Sequence, residues 1–289
     1  MRIWKIILVL IILTTNTNIS SQEMSKFEDS LITLLEKVHF SKNVDSAMKY
    51  NSFFKQTLKR CLNKPESFTY PFDSISNFMT TKKSSDDIFR IFNWNIELKN
   101  QKQHYECLIL KKDQKERFKI IELQSKRRTN EDIEYQVMND KSWKGALYFD
   151  IIPVKKNNKT IYTLLGWDGN NMYSNIKIIE TLSFVKKNKL QFGTPIFEYP
   201  DGKVKRRVIF QYNKKSYMSL KHIVIKKEKY LVFDHLSPTS PHLKDFPDWY
   251  VTDLSFDAFK WENNKWQYIK DFDAKSKKLS RKPFNNPNK

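Results

Sequence analysis

The chain has 289 residues, with 52 Lys and Arg residues against 32 Asp and Glu, which gives a formal net charge of +20. This length is enough for one large β domain or two modest domains with proper cores. Arginine supplies only 9 of the basic residues, and lysine pairs such as Lys111-Lys112 and Lys155-Lys156 fall where hairpin turns are expected. A nucleic-acid groove gathers Lys and Arg on one face between exposed aromatic residues, so specific nucleic-acid binding is not expected.

Residues 1–22 have the pattern of a secretory signal peptide. A charged start precedes the unbroken apolar run Ile6–Leu13, and a small polar segment ending in Ser20-Ser21 follows it. A membrane anchor is the alternative, but about 20 apolar residues are needed to cross a bilayer. We therefore expect the mature chain to be exported to the periplasm or beyond and to carry no transmembrane segment.

A helical layer is expected from residue 23 to about residue 85. Apolar residues recur there at helical spacing in two stripes, and Ser41–Asp45 has the composition of a turn between them. The first stripe comprises Phe27, Leu31, Leu34, Leu35 and Val38, and the second comprises Met48, Phe53, Phe54, Leu58 and Leu62. Each stripe needs a partner surface, so the helices should dock on each other or on a sheet.

Residues 86–274 are expected to form an antiparallel β domain, followed by a basic flexible tail over residues 275–289. Short runs with strand character are separated by turn signals, and a short helical turn is expected at Ser174–Ile178. The predicted strands are Ile88–Leu98, Tyr105–Leu110, Arg117–Leu123, Ala146–Val154, Thr160–Trp167, Leu190–Tyr199, Val204–Tyr212, Ser216–Ile225, Tyr230–His235, Val251–Trp261 and Lys265–Ile269. The predicted fold class is mainly β (α+β), an antiparallel meander closing as a sandwich or barrel beside the helical layer.

Two cysteines, Cys61 and Cys107, raise the question of a disulfide bridge, because export leads to an oxidising compartment. Cys61 lies on the apolar face of the second predicted helix, and Cys107 alternates with Tyr105 and Ile109 on a predicted strand. Both thiols are expected to point inward. A bridge and two buried free thiols are both compatible with this pattern, since connectivity does not follow from sequence.

The stretch Thr160–Asn171, TIYTLLGWDGNN, is the clearest strand-and-turn pattern in the chain. Its residues alternate with the period of a strand, and the turn that follows is rich in Asp, Gly and Asn, which tolerate a positive φ. Trp167 and Asp168 at its end are candidates for a ligand-facing edge. The alternative that we favour is a tryptophan buried beside a tight turn, because most large aromatic residues serve packing.

Three further segments stand out: GWDGNN (Gly166–Asn171), FGTPIF (Phe192–Phe197) and VFDHLSP (Val232–Pro238). Through them the chain resembles a group of uncharacterised secreted proteins of low-GC Gram-negative bacteria, over most of Phe89–Asp273. The resemblance implies export and a β-rich fold. It implies no known activity, and it carries no catalytic residue over to this chain.

Motifs for metals and cofactors are missing from the sequence. There is no paired-cysteine motif, no HExxH and no phosphate-binding glycine loop, so neither a metal nor a cofactor is expected. The remaining polar candidates form a C-terminal cluster of Asp234, His235, His242, Asp248, Asp253 and Asp257, with His222 on the preceding strand. Asp234 and His235 are adjacent on a predicted strand and face opposite sides, so they cannot pair with each other. A hydrogen bond that fastens a loop is favoured over a His–Asp general base.

Aromatic residues at predicted strand ends offer a different function. Trp249 and Tyr250, together with Trp167, Trp261 and Trp266, lie where loops of a β scaffold concentrate binding surfaces. Their rings could stack on a glycan or a peptide. The sequence therefore predicts an exported, non-catalytic binding or envelope-associated module with an unidentified envelope, glycan or peptide ligand. The alternative is a periplasmic hydrolase that uses the region of His222, Asp234 and His235.

Overall fold

The computed structural model describes residues 22–113, 115, 117–126, 131–185 and 189–273. The predicted signal peptide, apart from its last residue, and the predicted basic tail lie outside the described residues. Two helices begin the described chain, α1 over residues 22–39 and α2 over Val44–Leu62. Asn43 caps α2, because its side-chain oxygen accepts a hydrogen bond from the backbone N–H of Ser46 at 2.9 Å.

Most residues of the two predicted apolar stripes lie on the buried faces of these helices. Leu31, Leu35, Phe54 and Leu58 are fully buried. Phe53 is an exception, since 46% of its surface is exposed. Its neighbour Phe54 occupies the inward face, and successive residues of a helix point about 100° apart. The assignment of Phe53 to the buried stripe was therefore wrong.

Fifteen strands follow α2 in the described part of the chain. They are β1 (Thr80–Lys83), β2 (Phe89–Glu97), β3 (Gln103–Lys112), β4 (Phe118–Gln124), β5 (Leu147–Lys156), β6 (Lys159–Asp168), β7 (Ser174–Val185), β8 (Lys189–Phe192), β9 (Phe197–Glu198), β10 (Val204–Lys205), β11 (Val208–Asn213), β12 (Leu220–Ile225), β13 (Glu228–Pro238), β14 (Tyr250–Glu262) and β15 (Lys265–Ile269). Short 3-10 helices lie at Pro65–Phe68, Ser74–Asn77, Lys99–Gln101, Glu131–Tyr135, Pro241–Leu243 and Pro247–Trp249.

These strands form three sheets, and the prediction of a mainly β, α+β fold with antiparallel pairing is confirmed. Sheet 1 has the order β1-β2-β3-β4, and sheet 2 has the order β11-β7-β6-β5 with β8 also paired to β7. Sheet 3 has the order β10-β9-β15-β14-β13-β12. Neighbouring strands run antiparallel except for β9 and β15, which pair in parallel over two residues.

The helices and sheets stack in layers, with sheet 2 at the centre. The helices cover one face of sheet 1, where Phe92, Trp94, Leu108 and Leu110 join the helical core. The other face of sheet 1 packs on sheet 2, and the far face of sheet 2 packs on sheet 3. Sheet 2 is therefore buried on both faces, which explains why its strands carry apolar residues at both odd and even positions.

Strand β6 shows this double burial residue by residue. Tyr162 and Leu164 join the core between sheets 1 and 2, whereas Ile161 and Leu165 join the core between sheets 2 and 3. Gly166 is needed because a Cβ there would lie 2.8 Å from a methyl carbon of Ile178 on β7. Such an approach is too close for any larger residue without displacement of the neighbouring strand.

Four segments differ from their predicted structures. Leu190–Tyr199 and Val204–Tyr212 were each predicted as one strand, but each contains two strands, one in sheet 2 and one in sheet 3. Thr80–Lys83, within the predicted helical layer, is the edge strand of sheet 1. Ser174–Ile178, predicted as a helical turn, is the start of β7, which pairs with both β6 and β11. The polar Ser174-Asn175 pair has the composition of a helix start, but two strand partners satisfy its backbone instead.

The two cysteines are free thiols in this structure and lie in different layers. Cys61 packs in the core between the helices and sheet 1, whereas Cys107 packs in the core between sheets 1 and 2. Cys107 follows the side-chain alternation of β3, which turns it away from the helices. The bridged alternative is thus contradicted, although both residues are buried as expected.

Hydrogen bonds between buried side chains join the layers. The indole Nε1 of Trp266 in sheet 3 donates to the hydroxyl of Thr163 in sheet 2 at 2.9 Å, and both residues are fully buried. Between sheet 2 and the segment that precedes β5, Arg207 forms a buried ion pair with Glu180 at 2.6 Å and donates to the carbonyl of Gln136. A buried charge is costly unless it is paired and hydrogen-bonded in this way.

The Thr163→Val substitution tests the link between sheets 2 and 3. Valine keeps the shape but removes the acceptor, which leaves the Trp266 N–H buried without a partner. We expect the free energy of unfolding to fall by about 1–3 kcal/mol in urea denaturation. Thr252→Val, at a half-buried position on β14, is the matched control. Equal effects of the two substitutions would show that the hydrogen bond contributes nothing measurable.

A polar cluster around Glu106 fastens α2 to sheet 1. The Glu106 carboxylate accepts hydrogen bonds from Lys55 at 3.0 Å and from Asn51 at 3.0 Å, and His104 contacts it at 3.3 Å. Burial is the largest influence and raises the pKa of Glu106, but the combined hydrogen bonds and the Lys55 charge lower it from 4.5 to about 2.

Acid should therefore weaken the contact between α2 and sheet 1. The pKa of Glu106 is lower in the folded chain than in the unfolded chain, so its stabilising contribution is present above pH 4.5 and is lost as the pH falls towards 2. We expect Glu106→Gln to remove about 3 kcal/mol of this pH-dependent stability. Urea denaturation at several pH values measures it, with Glu36→Gln on the exposed face of α1 as control. An identical pH dependence in both variants would contradict the assignment.

Candidate functional site

Three loops meet at the end of sheets 2 and 3 that follows β6. They are the β6–β7 loop, the segment after β11 and the β13–β14 loop. The backbone N–H of Lys214 donates to the carbonyl of Tyr173 at 2.9 Å, which joins the first two loops. The side-chain amide of Asn213 donates to the carbonyl of Asp248 at 2.8 Å, which joins the third. The three loops are thus held against one another by specific hydrogen bonds.

Large apolar side chains are exposed on all three loops. We call this set the aromatic loop surface, and each member is at least half exposed: Met172, Tyr173, Tyr217, Phe246 and Trp249. The same loops carry three lysines, Lys214, Lys215 and Lys244, and two acidic residues, Asp245 and Asp248. Asp248 is engaged internally, because its carboxylate accepts a hydrogen bond from Gln211 at 2.5 Å. Groups of exposed large apolar side chains often mark interaction surfaces, whereas single exposed ones need no explanation.

The predicted aromatic candidates occupy different parts of the fold. Trp266 is fully buried in the core between sheets 2 and 3, and Trp261 packs against the same core, so neither lies on the aromatic loop surface. Trp249 is exposed on the aromatic loop surface. Tyr250 is half-buried, and its hydroxyl donates to the carbonyl of Lys244 at 2.7 Å, which closes the β13–β14 loop. Trp167 is half-buried beneath the loops, and its ring would lie 2.9 Å from a Cβ at Gly169. Tyr217 and Phe246 were missed, because isolated aromatic residues in loops give no periodic signal.

Asp168 is buried inside the turn that supports the loops. Its carboxylate forms an ion pair with Lys144 at 2.8 Å and accepts hydrogen bonds from the Tyr105 hydroxyl at 2.9 Å and the Asn170 N–H at 2.8 Å. Burial acts to raise the pKa of Asp168. The charge of Lys144 and the hydrogen bonds together outweigh burial, so the pKa lies below its ordinary value. With these partners Asp168 fixes the geometry of the β6–β7 turn.

His222, Asp234 and His235 do not form a common site. Asp234 accepts a hydrogen bond from the backbone N–H of Ser219 at 2.7 Å, which ties β13 to the start of β12. His222 lies three residues further along β12, opposite Leu231, and burial lowers its pKa. The expected contact between His222 and Asp234 across the β12–β13 hairpin is therefore not formed.

His235 instead pairs with Asp257 across the β13–β14 ribbon. The imidazole Nδ1 and the Asp257 carboxylate are 2.7 Å apart, and the carboxylate is 2% exposed. The Tyr268 hydroxyl donates to the same carboxylate at 2.5 Å, and the Asp271 N–H donates at 3.1 Å. A β-bulge between Asp234 and Leu236 turns His235 towards this partner. Asp257 belonged to the polar cluster that the sequence indicated, but its pairing with His235 was not predicted, because a bulge changes which residues face each other.

The other side of the imidazole faces Asp253. The His235 Nε2 and an Asp253 oxygen are 3.9 Å apart. Burial acts to raise the pKa of Asp253, but hydrogen bonds from Ser255 and Ser237 outweigh it. The net result is a pKa lowered to about 2. The Ser237 hydroxyl donates to Asp253 at 2.7 Å, so it is engaged with the carboxylate and not with His235. The arrangement can orient an imidazole as a proton acceptor, without a nucleophile bonded to it.

No three His, Cys, Asp or Glu side chains come together as a metal site in the described ranges of the chain. None of the described helices combines the length and apolar character needed to cross a membrane. Comparisons with protein-family models, with curated proteins and with solved structures find no match for this chain. The resemblance to secreted proteins and the expected export thus stay predictions.

The His235→Ala substitution tests whether this histidine fastens the β13–β14 ribbon. Removing the imidazole takes one hydrogen-bond partner from the buried Asp257 carboxylate, so we expect a loss of about 1–3 kcal/mol in the free energy of unfolding. Thermal and urea denaturation measure it, and His242→Ala, exposed on the β13–β14 loop, is the control. An unchanged stability together with the loss of an ester, peptide or glycoside hydrolysis would assign His235 to catalysis.

Proposed function

We propose that this protein is an exported, non-catalytic envelope-associated module whose aromatic loop surface binds an anionic lipid bilayer. The observation that carries this proposal is the exposure of five large apolar side chains on three hydrogen-bonded loops. Exposing such side chains to water is unfavourable. Their position on loops at one end of a β scaffold is typical of a binding surface, where a partner covers them.

The chemistry of these side chains favours a membrane surface over other partners. Tryptophan and tyrosine rings are enriched where lipid head groups meet the acyl chains, and phenylalanine and methionine contribute buried apolar area there. The three lysines on the same loops supply attraction to anionic head groups, which falls off with salt. A glycan site combines aromatic rings with groups that hydrogen-bond to sugar hydroxyls. The side chains of Phe246 and Met172 carry no such hydrogen-bonding group.

A periplasmic hydrolase is the second candidate function, and the His235–Asp257 pair is the observation that favours it. A buried carboxylate that orients an imidazole is a feature of general-base sites. The non-catalytic proposal is supported over it by the hydrogen bonds that the Ser237 and Ser255 hydroxyls donate to Asp253, because they engage these hydroxyls with a carboxylate and not with the imidazole. The activity measurement on His235→Ala separates the two functions.

Vesicle binding tests the proposed function directly. We expect the mature protein to cosediment with vesicles that contain phosphatidylglycerol and to bind pure phosphatidylcholine vesicles at least tenfold more weakly. The triple variant Tyr217→Ala, Phe246→Ala, Trp249→Ala should lose at least tenfold in affinity for the anionic vesicles, because each truncation removes apolar area from the contact.

The matched control truncates exposed aromatic residues elsewhere. Phe40→Ala with Phe53→Ala removes two exposed rings from the helical layer and should leave vesicle affinity unchanged. Equal vesicle affinity of the triple variant and the parent would overturn the proposal. Binding of the parent to purified envelope glycan or peptide, with no vesicle binding, would transfer the surface to that partner class.

A further inference from the structure

A large cleft opens at the other end of sheet 2, between sheets 1 and 2. Its volume is about 1020 Å³, and it is lined by residues from the loop before β2, the end of β3, the β5–β6 hairpin and the end of β7. Volumes of this size are typical of small-molecule sites. The cleft lies at the start of β6, whereas the aromatic loop surface follows the end of β6, so the two surfaces are distinct.

The floor of the cleft is apolar. Tyr162 is buried at its base, and Phe184 is partly buried against the core between sheets 1 and 2. Ile88 and Val185 line the cleft with 37% and 41% of their surfaces exposed. The core between sheets 1 and 2 therefore continues into a solvent-filled groove, where an alkyl chain would cover apolar surface that now faces water.

Lysines line the same cleft. Lys111 shares a face of β3 with Ile109, and this alternation points it between the sheets, where its Nζ lies 4.8 Å from the centre of the Phe184 ring. Lys155, Lys156 and Lys159 come from the β5–β6 hairpin. In the described part of the chain, no carboxylate forms an ion pair with these three hairpin lysines.

Among the described residues, one carboxylate lines the cleft, and it is engaged by a hydrogen bond. Asp86 accepts a hydrogen bond from the Tyr162 hydroxyl at 2.7 Å. Burial lowers the pKa of Lys111, and burial followed by the charges of Lys265 and Arg206 lowers the pKa of Lys156. Burial is the main cause of both shifts, so both ammonium groups are poorly solvated, and a bound anion would compensate for the lost solvation. The cleft thus joins an apolar floor to a cationic mouth.

We propose that this cleft binds a single-chain amphiphile with an anionic head group, such as a long-chain carboxylate or alkyl phosphate. The alkyl chain lies along Ile88, Phe184 and Val185, and the head group contacts the hairpin lysines. This inference goes beyond the proposed membrane contact, because it concerns a soluble ligand at a different surface. An extended polyanion fits less well, since Ile88, Phe184 and Val185 present apolar surface that a charged backbone would not cover favourably.

Titration calorimetry with palmitate and with hexadecyl phosphate, both below their micelle concentrations, tests the proposal. We expect saturable binding of both anions with one ligand per chain. Hexadecanol has the same chain without the charge, and we expect it to bind at least tenfold more weakly. Inorganic phosphate has the charge without the chain, and we expect no saturation at millimolar concentration.

Variants separate the two halves of the site. Lys155→Gln with Lys159→Gln should weaken palmitate binding at least tenfold and leave hexadecanol binding unchanged, whereas Val185→Asp should weaken both. Lys99→Gln with Lys102→Gln makes the same charge change on the exposed β2–β3 connection and should have no effect. A parent protein that does not bind either hexadecyl anion would overturn the proposal. So would an equal loss of palmitate binding in the two double-lysine variants, with circular dichroism used to verify folding.

Discussion

Burial of sheet 2 on both faces is the constraint on which the rest of the structure depends. A sheet with one solvent-exposed face needs apolar side chains on only one face of each strand, but β6 and β7 need apolar side chains on both faces. Tyr162 and Leu164 serve the core towards sheet 1, and Ile161 and Leu165 serve the core towards sheet 3. The helices then cover the outer face of sheet 1, so that each layer of the fold has a partner for its apolar surface.

Polar residues inside this stack are tolerated because each one joins two elements. Thr163 accepts from Trp266 between sheets 2 and 3, and Asn93 accepts from the backbone N–H of Tyr148 between sheets 1 and 2. Glu180 in sheet 2 neutralises the fully buried Arg207, which also holds the segment before β5. Apolar burial alone does not specify how sheets register on each other, whereas directional hydrogen bonds do. These contacts therefore select one stacking arrangement of the sheets.

The two ends of sheet 2 are where the layers stop, and both proposed binding surfaces lie there. At the end of β6 the loops that follow Asp168 carry exposed aromatic residues, and a buried ion pair with Lys144 makes their base rigid. At the start of β6 the layers separate into a cleft with an apolar floor and lysines at its mouth. One surface suits an extended lipid bilayer and the other suits a single alkyl anion, so a common theme of lipid chemistry connects them.

The sequence by itself determined the class and approximate position of most elements, because the periods of helices and strands and the residues of tight turns are local properties. It placed α1, α2 and β6 closely, and it identified Trp249 as a binding candidate. Only the tertiary structure decided which side chains meet. A bulge in β14 opposite His235 brings His235 to Asp257, the alternation of β3 turns Cys107 away from Cys61, and two strand partners make Ser174–Ile178 extended. These outcomes depend on strand register and layer order, which are set by contacts between residues far apart in the chain.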